Sequence, residues 1–252
     1  MNNVYIYHNN FINFLCLIKL LFDNKIKPYN IKNEDYIPNL FENLIFLKIN
    51  NNKEILNIFK QILGKENYKI IYYVYLSNSD NKELIIYYYI INCLKYKNNT
   101  KYKRNLKCVS EALRISNYVS RENHKFKGFL RFKELNNKIL YAEINPENNI
   151  LNILSIHFKE RLKNEYWIIK DVNREIISIY DKKKYYLVST DIFDLLDINY
   201  SSNEFLIEDL WKKFYKTIGI ENRKNDKCRM NFMPKKYWKY IIEVSDEYEK
   251  GS

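Results

Sequence analysis

Apolar residues fall along this chain in stretches of two different periods, and each change of period marks an element. Residues 4–7 (V-Y-I-Y) form a short β-leaning run, and residues 11–22 form an apolar run of helical length. The second run carries Asn13 and Lys19 and falls short of the roughly 20 residues that cross a bilayer, so a buried helix is expected. Residues 44–49 read as a second strand. Helices are expected over 53–63, 68–76 and 82–94, the last two apolar almost all round and therefore buried. Residues 95–107 are polar and basic and read as a linker or exposed loop.

Helical spacing resumes over 108–123. Residues 125–135 and 139–144 then alternate as strands and predict a hairpin across Asn136-Asn137. A helix follows over 150–162, and a three-strand meander over 166–170, 175–180 and 185–189. The stretch 204–218 reads as a helix with Phe205, Leu206, Leu210, Trp211 and Phe214 to one side. Pro234 opens a last short helix through 242. The class expected is α+β. A helix-rich region over 1–97 and a basic linker or loop at 98–107 precede an α+β domain over 108–250, where helices pack on an antiparallel sheet.

Composition narrows the function classes. The 252 residues include 24 Tyr and 14 Phe, are 46% hydrophobic and can bury a real core. The net charge of +12 favours a polyanionic partner. A chain rich in Lys, Asn, Ile and Tyr acquires some of that charge from AT-rich coding sequence, so placement carries more than the total. Twelve cations face three carboxylates between residues 95 and 134, which puts +9 of the charge in about one sixth of the chain. Four scattered cysteines without a C-x-x-C pair argue against zinc or iron–sulfur ligation and for reduced thiols, and no cofactor is expected. With four glycines there is no G-x-x-x-x-G-K-[ST], G-x-G-x-x-G or G-x-S-x-G, so phosphate-cradling loops and α/β-hydrolase chemistry are not expected. The first ten residues lack the basic start of a secretory leader, and a cytoplasmic chain without a membrane span is expected.

Two sets of residues carry candidate chemistry. On a strand over 125–133, period two places Lys125, Lys127, Phe129, Arg131 and Lys133 on one face and Phe126, Gly128, Leu130 and Phe132 on the other. Cations around one aromatic suit single-stranded DNA, where phosphates track the charge and a base stacks. Arg121 adds to this surface, and Lys235, Lys236 and Trp238 could grip a phosphate at a helix start. The second set is His124, His157, Arg161 and Asp171. His157 and Arg161 lie four apart on one helix face, histidine is the residue type suited to general acid–base work near neutral pH, and Asp171 or Glu143 could pair with Arg161. No H-E-x-x-H or similar spacing exists, so no metal site is expected.

The ordered motifs carry a resemblance. R-E-N-H-K-F-K-G-F-L-R-F (121–132), Y-A-E-I-N-P (141–146), H-F-K-E-R (157–161), W-I-I-K-D (167–171), L-W-K-K-F-Y (210–215), Asn225 and M-P-K-K-Y-W (233–238) succeed one another through the second half. In that order they resemble a bacterial family described as probable DNA metabolism or DNA repair proteins. The first half is similar only through its opening strand and helix. The resemblance implies genes that occur beside a radical SAM protein, some members fused to a uracil-DNA glycosylase-type domain, and no assigned reaction. The function expected is thus a DNA-binding accessory of a repair or base-modification system with a radical SAM partner, its DNA single-stranded or damaged. Two alternatives stand beside it: a nucleic-acid-processing enzyme built on the His, Arg and Asp set, and a scaffold that meets the radical SAM protein through the helices of 68–94.

Overall fold

The structure, a computed structural model, describes residues 2–8, 10–48, 52–190, 199–218, 220 and 225–245. The chain divides into two compact units, Met1–Ser120 and Arg121–Ser252. The division falls inside one helix, α4 (Lys107–Phe129).

The first unit is a small parallel sheet under helices. Strand β1 (Asn2–Tyr7) lies between β2 (Asn30–Asn33) and β3 (Glu42–Phe46), parallel to both. Val4, Tyr5, Ile6 and Tyr7 are all buried, the signature of a strand covered on both faces. Helix α1 (Phe11–Asp23) starts on Asn10, whose side chain accepts the Asn13 amide at 2.8 Å. Strand β2 was not expected, because N-I-K-N has a single apolar residue; pairing with β1 buries that residue, Ile31, completely. Residue 49 of the expected strand 44–49 lies outside the described residues.

Helix α2 (Ile55–Leu76) joins the helices expected over 53–63 and 68–76, with a break at Gly64 where φ is 75° and ψ is 161°. One turn on, buried Asn67 donates to the Leu63 carbonyl at 3.0 Å and accepts the Tyr89 hydroxyl of α3 (Lys82–Tyr96) at 2.8 Å. Ile71, Val74, Ile85, Ile86, Tyr89 and Ile90 are core residues of this unit. Helices apolar almost all round thus give much of their surface over 68–94 to their own core. Residues Lys97–Tyr102 form a 3-10 turn against α2 and α3, and the buried Thr100 hydroxyl donates to the Lys97 carbonyl at 2.7 Å.

The second unit is α+β as expected. Its sheet has the order β4-β5-β6-β7-β8, from Lys133–Glu134, Leu140–Ile144, Trp167–Asp171, Ile176–Tyr180 and Tyr185–Ser189. The hairpin and the meander are antiparallel, while β5 and β6 run parallel through the crossover helix α5 (Leu151–Arg161). α5 packs on β6, β7 and β8, and the buried Ser155 and Ser178 hydroxyls meet at 2.7 Å. Fully buried Trp167 stacks on Tyr180, ring centres 5.1 Å apart. Helices α6 (Ser202–Ile218) and α7 (Asp226–Phe232) follow, and the expected last helix is a 3-10 turn, Lys235–Tyr240.

The strand expected over 125–133 is a helix for most of its length. α4 runs Lys107–Phe129, and only Lys133–Glu134 pairs as β4. Buried Val109, Ala112, Ile115, Val119, Phe126 and Leu130 recur every three to four residues, or two such steps apart. This helical stripe continues past Asn123 and overrides the β-leaning F-L-R-F string. Lys125 and Phe129, one turn apart, therefore share a helix side, and the alternating basic strand face does not exist.

Gly64 holds a backbone conformation open in practice to glycine alone, and an added Cβ would stand 3.3 Å from Asn98 Oδ1. Gly64→Ala is expected to cost about 1–3 kcal/mol of stability, read as a lower urea-unfolding midpoint.

Candidate nucleic-acid interface

The motif residues of the second unit converge first on a loop. Between β5 and α5 the chain passes through Pro146, Glu147 and Asn148, whose backbone groups need partners outside regular structure. Buried Glu122 on α4 accepts the Glu147 amide at 2.8 Å, the Asn148 amide at 3.0 Å and the Asn148 side chain at 2.6 Å. From the carbonyl side, Arg174 donates to Pro146 at 3.0 Å and Glu147 at 2.5 Å. Arg174 is aimed by an ion pair with fully buried Asp171 at 3.1 Å. Lys236 closes the ring by pairing with the Glu147 carboxylate.

The same strap brings the C-terminal turn onto α4. Buried Tyr237 packs against Phe126 (ring centres 5.2 Å apart) and Phe129 (5.7 Å), with the Lys125 ammonium over its ring. Trp238 is buried, donates to the Met233 carbonyl at 2.8 Å and carries Arg229 and Lys235 over its ring. Phe129, Lys125 and Trp238 thus serve packing in this unit, and Trp238 offers no stacking platform. Arg121 and Lys235 are exposed, and Lys127 is half-buried.

The four candidate catalytic residues do not assemble through hydrogen bonds. The Asp171 carboxylate is taken by Arg174 and by the turn amides of Asn173 and Arg174, so it is not the partner of Arg161. Burial lifts its pKa above the ordinary carboxylate value against the pull of Arg174. Glu143, the other expected partner, accepts the Tyr141 hydroxyl at 2.8 Å. His124 is exposed on α4, and Arg161 is exposed in the last turn of α5, where its charge suits the helix dipole. His157 is half-buried, with its Nε2 enclosed and without a hydrogen-bond partner. Burial, then the charges of Lys127 and Arg161, push its pKa below the usual histidine value, against Glu160. Of the set, only His157 and Arg161 act on one another.

What the tertiary structure adds is a cleft of about 380 Å³. Arg131, Lys133, Lys212 and Lys239 line it, against the carboxylates of Glu143 and Glu208. Tyr141, Tyr200 and Tyr240 supply its aromatic walls. Lys133 is held by Glu208 at 2.5 Å and lies over the Tyr200 ring. Arg131 bridges Glu243 at 3.0 Å and the Gly128 carbonyl at 2.9 Å. Burial alone would raise the Glu243 pKa, but backbone, Trp211 and Arg131 hydrogen bonds outweigh it and hold the carboxyl below its usual value. Burial raises the Tyr200 hydroxyl. Of the residues expected to touch nucleic acid, Arg131 and Lys133 lie on this cleft. Lys212, Tyr200, Lys239 and Tyr240 were missed. Lys212 stood in plain view inside L-W-K-K-F-Y, and Lys239 and Tyr240 directly follow M-P-K-K-Y-W.

Among the described residues no three His, Cys, Asp or Glu side chains could hold a metal ion together, and no helix is long and apolar enough to cross a membrane. Fold and cleft define a mixed α/β protein with a basic, tyrosine-walled cleft in its second unit. The chain belongs to the family described as Domain of unknown function (DUF4130), whose model matches residues 80–243, well over half of the sequence. No curated protein matches it.

Glu122→Gln replaces an acceptor of three hydrogen bonds with a group that presents an N–H to buried amides. It is expected to cost about 1–3 kcal/mol, measured by urea unfolding. For His157 the sign follows from a folded pKa below the ordinary 6.5. As pH falls through 6.5 the unfolded chain takes up a proton first, so stability is lost from there down through the folded value. His157→Gln should flatten that part of the curve, read from unfolding midpoints at neutral and mildly acid pH.

Proposed function

We propose that this protein is a DNA-binding accessory of a repair or base-modification system, and that single-stranded or flipped-out DNA enters the cleft between Arg131, Lys133, Lys212 and Lys239. The reading rests on one observation. Four cations and three tyrosines outnumber two carboxylates around a volume in the range of small-ligand sites. Cations that neutralise phosphates beside aromatic rings that accept a base are the elements of sequence-tolerant single-strand binding, with stacking worth roughly 1–3 kcal/mol per base. The local +9 over residues 95–134 would add long-range attraction for the same polyanion.

Action with a radical SAM partner rests on the family resemblance alone and is a separate part of the proposal. The chain shows no cluster-binding cysteine pattern of its own, which is compatible with a partner that carries the cluster.

In fluorescence anisotropy with a single-stranded oligonucleotide, the Lys212→Ala/Lys239→Ala variant should bind more weakly while its unfolding midpoint is unchanged. Its plot of log K against log salt should be shallower by about 0.7 for each phosphate that is no longer neutralised. Unchanged affinity at low salt would remove the cleft from DNA binding. Co-expression with the radical SAM protein and affinity purification tests the second part, and elution of this chain alone overturns it.

A further inference from the structure

Helix α6 is amphipathic in an inverted sense. Its charged side holds it to its own unit: buried Glu204 accepts the Glu134 amide at 2.9 Å, Glu208 pairs with Lys133 at 2.5 Å, and Lys212 lines the cleft. The opposite side is apolar and open. At about 100° per residue, Leu206, Leu210, Phe214, Ile207 and Ile218 fall within one arc of roughly 120° that contains no charged residue, and Trp211 stands at its edge, where its side chain hydrogen-bonds Glu243 of the same unit. These five are exposed, Leu210 by 64% and Phe214 by 52%. A helix that only capped the cleft would turn this face inward.

We propose that a second copy of this chain covers that face, with the two α6 helices packed antiparallel about a two-fold axis near Trp211. Two observations select this occupant. The first is area. At half exposure these side chains present on the order of 600 Å² of contiguous apolar surface, at the upper end of what a monomer carries and close to one partner's share of a standard interface. The second is charge. Along the Leu206 edge of the arc, exposed Asp209 and Lys213 stand one turn apart, paired at 2.6 Å. A two-fold through Trp211 sets Asp209 of each copy beside Lys213 of the other, so the flank is complementary to itself, as an isologous interface requires. The pairing leaves the cleft side of α6 untouched and is independent of what the cleft binds.

Sedimentation velocity on the full chain tests the proposal. A concentration-dependent dimer is expected, and Leu210→Asp/Phe214→Asp should raise its dissociation constant more than about thirtyfold with the circular-dichroism melt preserved. Asp209→Lys alone and Lys213→Asp alone should each dimerise more weakly than the unchanged chain, since like charges then meet across the axis. An equal mixture of those two variants should recover the dimer, because each now supplies what the other lacks. That recovery cannot come from the pair within one helix, which neither variant retains. A chain that stays monomeric, a dimer indifferent to the Leu210/Phe214 change, or a mixture no tighter than its components overturns the proposal. So does a monomer that instead sediments with anionic phospholipid vesicles, which would make the face a lipid surface.

Discussion

The second unit depends on one carboxylate. Glu122 sits buried in α4 and accepts three hydrogen bonds from the loop at Glu147 and Asn148. A loop inside a folded unit must satisfy amides and carbonyls without a ladder, and the two needs are met here by different residues. Glu122 accepts from the amides, and Arg174, held by Asp171, donates to the carbonyls. Because α4 and the β6–β7 turn both bond the β5–α5 loop, their positions against it are fixed by a few charge-assisted bonds. Residues that looked like chemistry in the linear chain, Asp171 above all, turn out to be parts of this clamp.

The clamp sets up the cleft. It fixes the exit of α4, after which Arg131 and Lys133 leave the helix and enter the edge of the sheet. The C-terminal turn is pinned over the same exit by Tyr237 and Lys236, so that Lys239 and Tyr240 reach the cleft. α6 supplies the remaining wall with its charged side, and this attachment leaves its apolar side outward. The basic cleft and the open apolar face are thus two consequences of one arrangement. A helix cannot give both sides to the same neighbour.

Elements differ in how plainly their own residues announce them. The meander over β6 to β8 was legible because W-I-I-K-D, I-I-S-I-Y and Y-Y-L-V-S are β-branched and aromatic and are separated by polar turns. Helix α1 was legible from its apolar run. Strand β2 was not, since nothing in N-I-K-N speaks for a strand until β1 lies beside it. The stretch 125–133 failed for the opposite reason. Its local alternation was real, but a longer helical stripe from Val109 to Leu130 was already in force, and burial along the whole stripe outweighs a few residues of β preference. For the site, the basic character, Arg131 and Lys133 were legible, while the pairing of Asp171 was not: Arg174 is only three residues away and gives no sign in sequence of reaching back to Pro146.

The sequence by itself determined the α+β class, most of the elements and the concentration of positive charge, because period and composition are local properties that each segment carries alone. Only the tertiary structure decided which charges are used up and which remain available. Whether a carboxylate meets a turn amide, an arginine or open solvent depends on residues far apart in the chain. So does the surface against which an amphipathic helix is laid. For those reasons α6 could be read as a helix with an apolar side, but not as a helix that turns that side outward.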